Sequence, residues 1–249
     1  MTSLARMKES QDAFGHALLD HLDGQETYEI IERDDGLIDI SASAERYFAP
    51  FAAWSPLEQA AAQRAVGRVL DVGCGAGRFA VHLQEQGREI VAIDVSPLAI
   101  AVCKRRGVRD ARVLSITAVP RSLGRFDTIL MMGNNFGLFG SRLRARWLLR
   151  RFRRNTSPEA RIIAQVLDPF QTTDPFHLAY QEANRRRGRM SGQIRMRVRY
   201  RKYATPWFDY LFVSLDELRD IVDETGWHVA EVIGTSGPLY IVQLEKSAS

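Results

Sequence analysis

Residues 69–80, with the sequence VLDVGCGAGRFA, constrain the fold more than any other part of the chain. A short apolar run leads into three glycines at alternate positions, Gly73, Gly75 and Gly77, and a helical pattern follows. Glycine adopts positive φ at little steric cost, and the first turn of a helix has unpaired backbone N–H groups. A strand, a glycine-rich turn and a helix N-terminus in this order predict a site for part of a nucleotide-like ligand.

Strands and helices alternate through the central part of the chain. The apolar runs RVLDV, EIVAIDV, ARVLSI, RFDTILMM and ARIIAQVLD are predicted strands, and several are separated by segments with helical spacing. This alternation predicts an α/β doubly wound fold, in which helices cover both faces of a parallel sheet. The last two predicted strands, HVAEVIG and LYIVQLE, are joined by a loop too short for a parallel crossover, so we expect them to pair antiparallel.

Two segments depart from this alternation. The N-terminal segment has apolar residues at helical spacing, and its acidic stretch ERDDGLID predicts a turn or short hairpin. After the fifth predicted strand, residues 175–187 predict a helix, and residues 193–202 and 207–213 predict a hairpin. The predicted organisation is a helical cap over residues 1–66 and a main domain over residues 67–249 that carries an insertion over residues 170–213.

The composition excludes several classes of protein. No apolar run approaches the roughly 18 residues that a membrane-spanning helix needs. The first residues, MTSLARMKESQDAFG, have charges where a signal peptide has its apolar core. Two cysteines, Cys74 and Cys103, are too few for a disulfide framework or a multi-cysteine zinc site. We expect a cytoplasmic protein with no metal site and no membrane association.

An acidic residue ends the second predicted strand of the sheet. Asp94 lies 17 residues after Gly77, where a carboxylate can accept hydrogen bonds from both hydroxyls of a ribose. The glycine pattern is G-x-G-x-G, preceded by Asp71, whereas dinucleotide-binding proteins use G-x-G-x-x-G. A carboxylate at that position repels a pyrophosphate and suits a cationic amino-acid group. VLDVGCGAGR followed by VAIDVSP resembles the first motif and the acidic second-strand end of class I S-adenosylmethionine-dependent methyltransferases.

The resemblance covers roughly residues 66–167 and extends to the final antiparallel pair. It implies a Rossmann-like sheet of seven strands in the order 3-2-1-4-5-7-6, with strand 7 antiparallel, and S-adenosyl-L-methionine as the cofactor. It places the methionine part of the cofactor beside Asp71 and the glycines, the ribose at Asp94 and the adenine near Val95 and Ser96. The residues that we expect to bind the cofactor are Asp71, Gly73, Cys74, Gly75, Gly77, Asp94, Val95, Ser96, Ser115, Ile116, Gly133 and Asn134.

Ser115 and Ile116 stand where many members of the family have an acidic residue that meets the adenine amino group. The contact there is expected from the backbone or from the serine hydroxyl. Cys74 is interpreted as a small neutral filler between glycines, because no histidine is near in sequence to activate its thiol.

The second substrate is expected at the carboxyl edge of the sheet. Asn134 and Asn135 follow the fourth strand there and either contact a ligand or shape a turn. Asp168 follows the fifth strand and is a candidate general base or substrate anchor. The insertion contributes residues that either grip a flat or cationic acceptor or pack a hairpin core, namely His177, Tyr180, Tyr200, Tyr203, Trp207, Phe208, Asp209 and Tyr210. With Asp168, His177 and Tyr210 are the candidate catalytic residues.

Positive charge is concentrated between residues 142 and 202, which include 17 basic and 4 acidic residues. Within this segment Arg195, Arg197, Arg199 and Arg201 occupy alternate positions, so they share one face of a predicted strand. They form either the solvent-exposed face of a half-buried strand, which we favour, or a row that binds an anion. Arginine outnumbers lysine 30 to 4 over the whole chain. This ratio indicates a compositional bias of the whole sequence rather than selection for anion binding in this segment.

The leading functional hypothesis is an S-adenosylmethionine-dependent methyltransferase that acts on an O, N or C atom of a small-molecule acceptor by direct in-line transfer. One alternative is an RNA or protein methyltransferase that uses the arginine-rich segment 142–202. Another is a cofactor-binding module without catalytic activity. Nucleic acid is not favoured as a partner, because no RNA-binding module is recognisable. The oligomeric state is left open.

Overall fold

The computed structural model describes residues 7–41, 44–234 and 237–247. The strands are β1 (Glu29–Arg33), β2 (Ile38–Ser41), β3 (Val69–Val72), β4 (Ile90–Asp94), β5 (Ala111–Val113), β6 (Phe126–Met131), β7 (Thr156–Leu167), β8 (Gln193–Tyr200), β9 (Tyr203–Ala204), β10 (Phe208–Leu211), β11 (Trp227–Ile233) and β12 (Leu239–Lys246). The α-helices are α1 (Ala13–Leu22), α2 (Pro56–Arg64), α3 (Arg78–Glu85), α4 (Pro97–Arg105), α5 (Arg142–Arg154), α6 (Pro175–Arg186) and α7 (Leu215–Val222).

The large sheet contains seven strands in the order β5-β4-β3-β6-β7-β12-β11. The first five are parallel, and β12 runs antiparallel to both β7 and β11. Numbered within the sheet, this is the order 3-2-1-4-5-7-6, so the predicted fold class is confirmed. Its central strands read as continuous apolar runs because helices cover both faces, which leaves side chains such as Leu70, Ile93 and Ile129 fully buried.

Short polar residues set the starts of the helices that follow these strands. Ser96 and Ser141 accept hydrogen bonds from backbone N–H groups in the first turns of α4 and α5. Pro97 is the first residue of α4, where its missing N–H costs nothing. Gly77 precedes α3 with φ of 74°, and no side chain caps that helix. The N-terminus of α3 therefore keeps backbone donors that a ligand can use.

The small sheet has the strand order β10-β8-β1-β2, and β9 pairs with β8. The acidic stretch ERDDGLID forms the hairpin of β1 and β2, and β1 pairs antiparallel with β8 of the insertion. Segments that the sequence analysis treated separately, the N-terminal cap and the insertion, thus share one sheet. Residues 1–6 and 42–43 of the predicted cap lie outside the described residues.

Helix α1 connects the two sheets. Ala13 and Ala17 pack against Val198 and Tyr200 of β8. On the other side, Asp12 accepts hydrogen bonds from Gly15 N at 3.0 Å, within α1, and from Leu98 N at 3.0 Å, at the start of α4. The N-terminal segment is therefore fixed to both halves of the molecule. Within the described part of the chain, no helix has the length and apolar character needed to cross a membrane.

Candidate active site

A cavity of about 920 Å³ lies at the carboxyl ends of the central strands of the large sheet. Residues of both sheets line it. Val72 and Asp94 mark the ends of β3 and β4 in its wall, while Ile31 and Met196 come from the small sheet. One continuous space thus joins the glycine-rich turn to the insertion.

The glycine-rich turn forms one wall of the cavity with bare backbone. Gly73 and Gly75 have φ of 68° and 55°, which other residues adopt only with strain. A Cβ on Gly73 would lie 2.6 Å from Asn135 Nδ2, and one on Gly75 would lie 3.4 Å from the ring of Phe14. The absence of side chains at these positions lets Asn135 pack against Gly73 and Phe14 of α1 lie above Gly75, and both glycines line the cavity.

Gly77 and Cys74 have different surroundings. Gly77 does not line the cavity, and a Cβ there would lie 2.9 Å from Cys103 Sγ, so this glycine allows α3 to pack closely on α4. Cys74 lines the cavity, and its Sγ is 3.6 Å from Cys103 Sγ. The contact with Cys103 and burial both raise the pKa of the Cys74 thiol. The thiol is neutral at physiological pH.

Two carboxyl groups, the buried Asp71 and the half-buried Asp94, line the same part of the cavity. Asp94 accepts hydrogen bonds from Gly75 N at 3.1 Å and Ser96 N at 2.9 Å, and burial still raises its pKa. Asp71 is 3% exposed and makes no side-chain hydrogen bond to another described residue. Burial, and secondly the charge of Asp94, raise the pKa of Asp71 to about 7. A ligand that offers hydroxyl groups and a positive charge would relieve both costs.

The apolar face of β8 forms the opposite wall. Ile194, Met196 and Val198 line the cavity, as the alternation of the strand predicts. Arg195, Arg197 and Arg199 lie on the other face of the sheet, where Arg195 pairs with Asp209 and both Arg197 and Arg199 pair with Glu32. Arg201 lies in the turn after β8, with φ of 48°, outside the strand that the sequence predicted for it, and pairs with Asp20. The structure agrees with the interpretation of the arginine row as a solvent-exposed face. Carboxylates neutralise much of its charge.

The comparisons with known proteins agree with this geometry. Residues 69–159 match a family model described as a methyltransferase domain. An S-adenosylmethionine-dependent methyltransferase from Bacteroides fragilis, crystallised with S-adenosyl-L-homocysteine, superposes with a TM-score of 0.83 at 27% identity over 98% of both chains. Residues 69–159 thus form a methyltransferase domain, and the whole chain shares the fold of this S-adenosylmethionine-dependent methyltransferase.

Similarity to curated proteins is limited to part of each. The methyltransferase shares 37% identity over 70 residues with a ubiquinone biosynthesis O-methyltransferase of Methylocella silvestris and with a magnesium-protoporphyrin O-methyltransferase of Rhodobacter capsulatus. These matches span 26% of this chain and 27% and 31% of the two relatives. The CcbJ methyltransferase of Streptomyces caelestis shares the fold. It superposes with a TM-score of 0.60 at 13% identity over 80% of this chain and 99% of its own.

The cofactor half of the cavity fits S-adenosylmethionine. Its Asp71 carboxyl group lacks a hydrogen-bond partner among the described residues, and its glycine-rich turn has no side chain at Gly73 or Gly75. Asp94 stands at the end of β4, where the resemblance places the ribose. Val95, Ser96, Ser115, Ile116, Gly133 and Asn134 also line this cavity. Of the twelve residues expected to bind the cofactor, Gly77 alone lies behind its wall.

Two serines of this methyltransferase, Ser96 and Ser115, were predicted to bind the cofactor, and the hydroxyl groups of both already have partners within the protein. Ser96 Oγ accepts from Ala99 N at 2.9 Å and so caps α4. Ser115 Oγ accepts from Thr117 N at 3.2 Å and lies 2.9 Å from Thr117 Oγ1. Both residues reach the cavity, but each hydroxyl also has a structural task. The sequence could not reveal this division of roles.

The two asparagines after β6 have unlike environments. The backbone of Asn134 has φ of 63°, and its carbonyl accepts a hydrogen bond from the Tyr210 hydroxyl at 2.6 Å. Its Oδ1 is buried without a partner among the described residues. Asn135 Nδ2 donates to Val72 O and Gly73 O, each at 2.9 Å. Asn135 therefore fixes the glycine-rich turn, and Asn134 shapes the turn after β6 through its backbone.

A group of N-terminal residues that no sequence motif singles out lines the cavity near Gly75. Glu29 of β1 is 2% exposed and accepts hydrogen bonds from Arg46 at 3.0 Å and Tyr47 at 3.1 Å. Burial raises the pKa of Glu29. Tyr47 meets Phe14 edge to face. The aromatic stretch YFAPFAAW, residues 47–54, is the sequence feature that indicates packing of this segment on the domain.

The three candidate catalytic residues all line the cavity. Asp168 Oδ1 accepts from Phe170 N at 2.9 Å. The Tyr210 hydroxyl donates to Asn134 O, and burial raises the pKa of this phenol. His177 Nδ1 lies 3.1 Å from Arg33 Nη1. Their roles stay predictions.

The aromatic residues of the insertion separate into two groups. Tyr180, Phe208, Asp209 and Tyr210 line the cavity together with His177. The others do not, because Tyr200 donates to Asp20, Tyr203 stacks on His16 and Trp207 lies beneath the Arg197 guanidinium. Within the described ranges, no group of three or more His, Cys, Asp or Glu side chains could hold a metal ion.

Proposed function

We propose that this chain transfers the methyl group of S-adenosylmethionine to an O, N or C atom of a small-molecule acceptor by direct in-line attack. The observation that carries the proposal is the single cavity, which joins the glycine-rich turn and Asp94 to a compartment walled by the apolar face of β8. The volume of about 920 Å³ is within the usual range for small-molecule sites.

The residues of the cavity contribute mainly position and exclusion of water. When bound, S-adenosylmethionine supplies an electrophilic methyl group on a sulfonium centre. Ile194, Met196 and Val198 provide an apolar wall that orients the acceptor and keeps water away, and alignment of this kind is the main requirement of methyl transfer. We assign Asp168 as the group that takes a proton from a hydroxyl or ammonium acceptor, since its second carboxylate oxygen has no partner among the described residues.

We further propose that residues 1–66 act as the cap of the cofactor half and residues 170–213 as the acceptor-binding insertion of the main domain 67–249. The contact of Phe14 with Gly75 supports the first assignment. The lining of the cavity by Met196 supports the second. We also infer a cytoplasmic location, in keeping with the free thiols of Cys74 and Cys103.

Calorimetry with S-adenosylmethionine and S-adenosylhomocysteine tests the proposal. We expect both to bind, and we expect Asp94→Ala to weaken S-adenosylhomocysteine binding about 100-fold, because two hydrogen bonds to a charged group are lost. Asp110→Ala is the matched control, since Asp110 pairs with Arg112 away from the cavity. Absence of binding to either ligand by the folded protein would contradict the proposal.

A further inference from the structure

A buried arginine stands beside His177 in the acceptor half of the cavity. Arg33, the last residue of β1, is 6% exposed. Its guanidinium donates to both oxygens of Asp35, at 2.8 and 2.7 Å, and lies 4.1 Å from the centre of the Tyr180 ring. The pKa of Asp35 is lowered by these hydrogen bonds. A buried guanidinium held by a fork of two hydrogen bonds has a fixed orientation.

The position of Arg33 determines which nitrogen of His177 carries the proton. Arg33 Nη1 lies 3.1 Å from His177 Nδ1, and its Nη2 donates to Phe176 O at 3.3 Å. A guanidinium has donors and no acceptor. His177 Nδ1 must therefore be the acceptor, and the proton of the neutral ring is on Nε2.

The other ring nitrogen is free. His177 lines the cavity, is exposed and makes no hydrogen bond through Nε2 to another described residue. Its backbone is fixed at the start of α6, where His177 N donates to Asp174 Oδ1 at 3.4 Å. The ring thus offers one oriented N–H donor beside the apolar wall of β8.

We propose that His177 binds the acceptor through this Nε2–H, which donates to a carbonyl or carboxylate oxygen next to an apolar body, and that Arg33 is the positioning residue that fixes the tautomer. The proposal rests on the proposed function, because it needs an acceptor in the cavity. An Nε2 that already has a proton cannot remove one from the acceptor. His177 is therefore a binding residue, and deprotonation is left to another group.

Nitrogen NMR of the full chain tests the tautomer. In protein with ¹⁵N-labelled histidine, five side chains contribute signals, and His177→Gln identifies the one from His177. We expect a protonated Nε2 and an unprotonated, hydrogen-bonded Nδ1. Arg33→Met should move the Nδ1 resonance to that of a nitrogen without a hydrogen bond, whereas Arg33→Lys, which keeps a donor, should hold it near its original position. A proton on Nδ1, or no response to Arg33→Met, overturns the assignment.

Binding of matched probes tests the recognition of oxygen. The probes are 2-naphthoate and 2-naphthylmethylammonium, measured by calorimetry with protein saturated with S-adenosylhomocysteine. We expect naphthoate to bind at least tenfold more tightly than the cation. His177→Phe should weaken naphthoate binding about tenfold, and His177→Gln, whose amide nitrogen can occupy the place of Nε2, should restore most of it. Thermal unfolding confirms that each variant is folded.

The outcomes separate the two proposals. If S-adenosylhomocysteine does not bind, the proposed function fails. If it binds but naphthoate does not, or if His177→Phe binds naphthoate as well as the unmodified protein does, the role of His177 is overturned and the methyltransferase assignment is untouched. Tighter binding of 2-naphthylmethylammonium than of 2-naphthoate would also overturn the proposal that His177 donates a hydrogen bond to an oxygen of the methyl acceptor.

Discussion

The cofactor half and the acceptor half of the cavity are built in different ways. The cofactor half comes largely from one contiguous stretch, from Asp71 to Ser96, and presents backbone at Gly73 and Gly75. The acceptor half is walled largely by β8 and by Ile31 and Arg33 of β1, two strands more than 150 residues apart in sequence, and presents side chains. A site made of backbone can be shared by many proteins, whereas a wall of side chains can change with the acceptor.

Helix α1 makes the two halves interdependent. Its Phe14 lies against Gly75 in the cofactor half, and its Ala17 packs on Tyr200 in the acceptor half. Tyr200 is fully buried, and its hydroxyl donates to Asp20 Oδ2 at 2.8 Å. The small sheet therefore supports the helix that covers the glycine-rich turn.

The largest expected effect is that of removing this support. Tyr200→Ala should lower the free energy of unfolding by about 3–5 kcal/mol, because it leaves a cavity in a packed core. It should also weaken S-adenosylhomocysteine binding, because α1 loses the ring on which it packs. We expect a single thermal transition at a lower temperature, measured by calorimetry and circular dichroism.

Tyr200→Phe is the control for the ring. It keeps the packing and loses the hydrogen bond to Asp20, so a loss of about 1–2 kcal/mol is expected. Two separate transitions in Tyr200→Ala, with the ligand still bound by the more stable one, would show that the halves fold independently. The interdependence inferred from α1 would then be wrong.

The cofactor half was open to prediction because its signals are local. The spacing of Gly73, Gly75 and Gly77 reports a turn that needs positive φ, and Asp94 ends the next apolar run. Each signal lies within one strand, turn and helix, so no long-range pairing had to be known. Even here the role of Gly77 in packing against Cys103 depends on tertiary structure.

The acceptor half could not be predicted in the same way. Strand β1 contains Ile31 and Arg33 on the cavity side and Glu32 on the arginine side, an arrangement that has meaning only once β1 pairs with β8. Nothing in ERDDGLID specifies its partner strand. The arginine row was correctly interpreted as an outer face, but its carboxylate partner Glu32 lies in a segment more than 150 residues away.

A second prediction concerns the electrostatic cost of the cofactor half. An aspartate carboxyl in the unfolded chain has a pKa of about 3.9, and burial raises that of Asp71 to about 7. Between these values the unfolded state ionises while the folded state keeps its proton, so stability falls as pH rises and the loss is complete above the higher value. Asp71→Asn should therefore be more stable than the unmodified protein by roughly 2–4 kcal/mol at pH 8.

Denaturant unfolding over a pH series measures this effect. The advantage of Asp71→Asn should vanish below about pH 3, where the carboxyl is protonated in both states. Asp216→Asn is the control, because the Asp216 side chain is 92% exposed. An advantage that does not change with pH would show that burial of Asp71 carries no ionisation cost, and the electrostatic cost assigned to the cofactor half would be wrong.

The smallest expected effect is on the outer face of the acceptor half. Replacing Arg195, Arg197, Arg199 and Arg201 together by glutamine should change S-adenosylhomocysteine affinity by less than about threefold, because none of these four residues lines the cavity. We also expect weak RNA binding before and after the change, measured by fluorescence anisotropy with a labelled oligouridine. Replacement of the same four residues by lysine keeps the charge and serves as the control.

Tight RNA binding that falls steeply with salt, survives in the lysine variant and is lost in the glutamine variant would transfer the acceptor site to this face. Because Glu32 and Asp20 already occupy the guanidinium groups there, an RNA would have to displace those carboxylates, and that competition is the physical reason to expect the negative result.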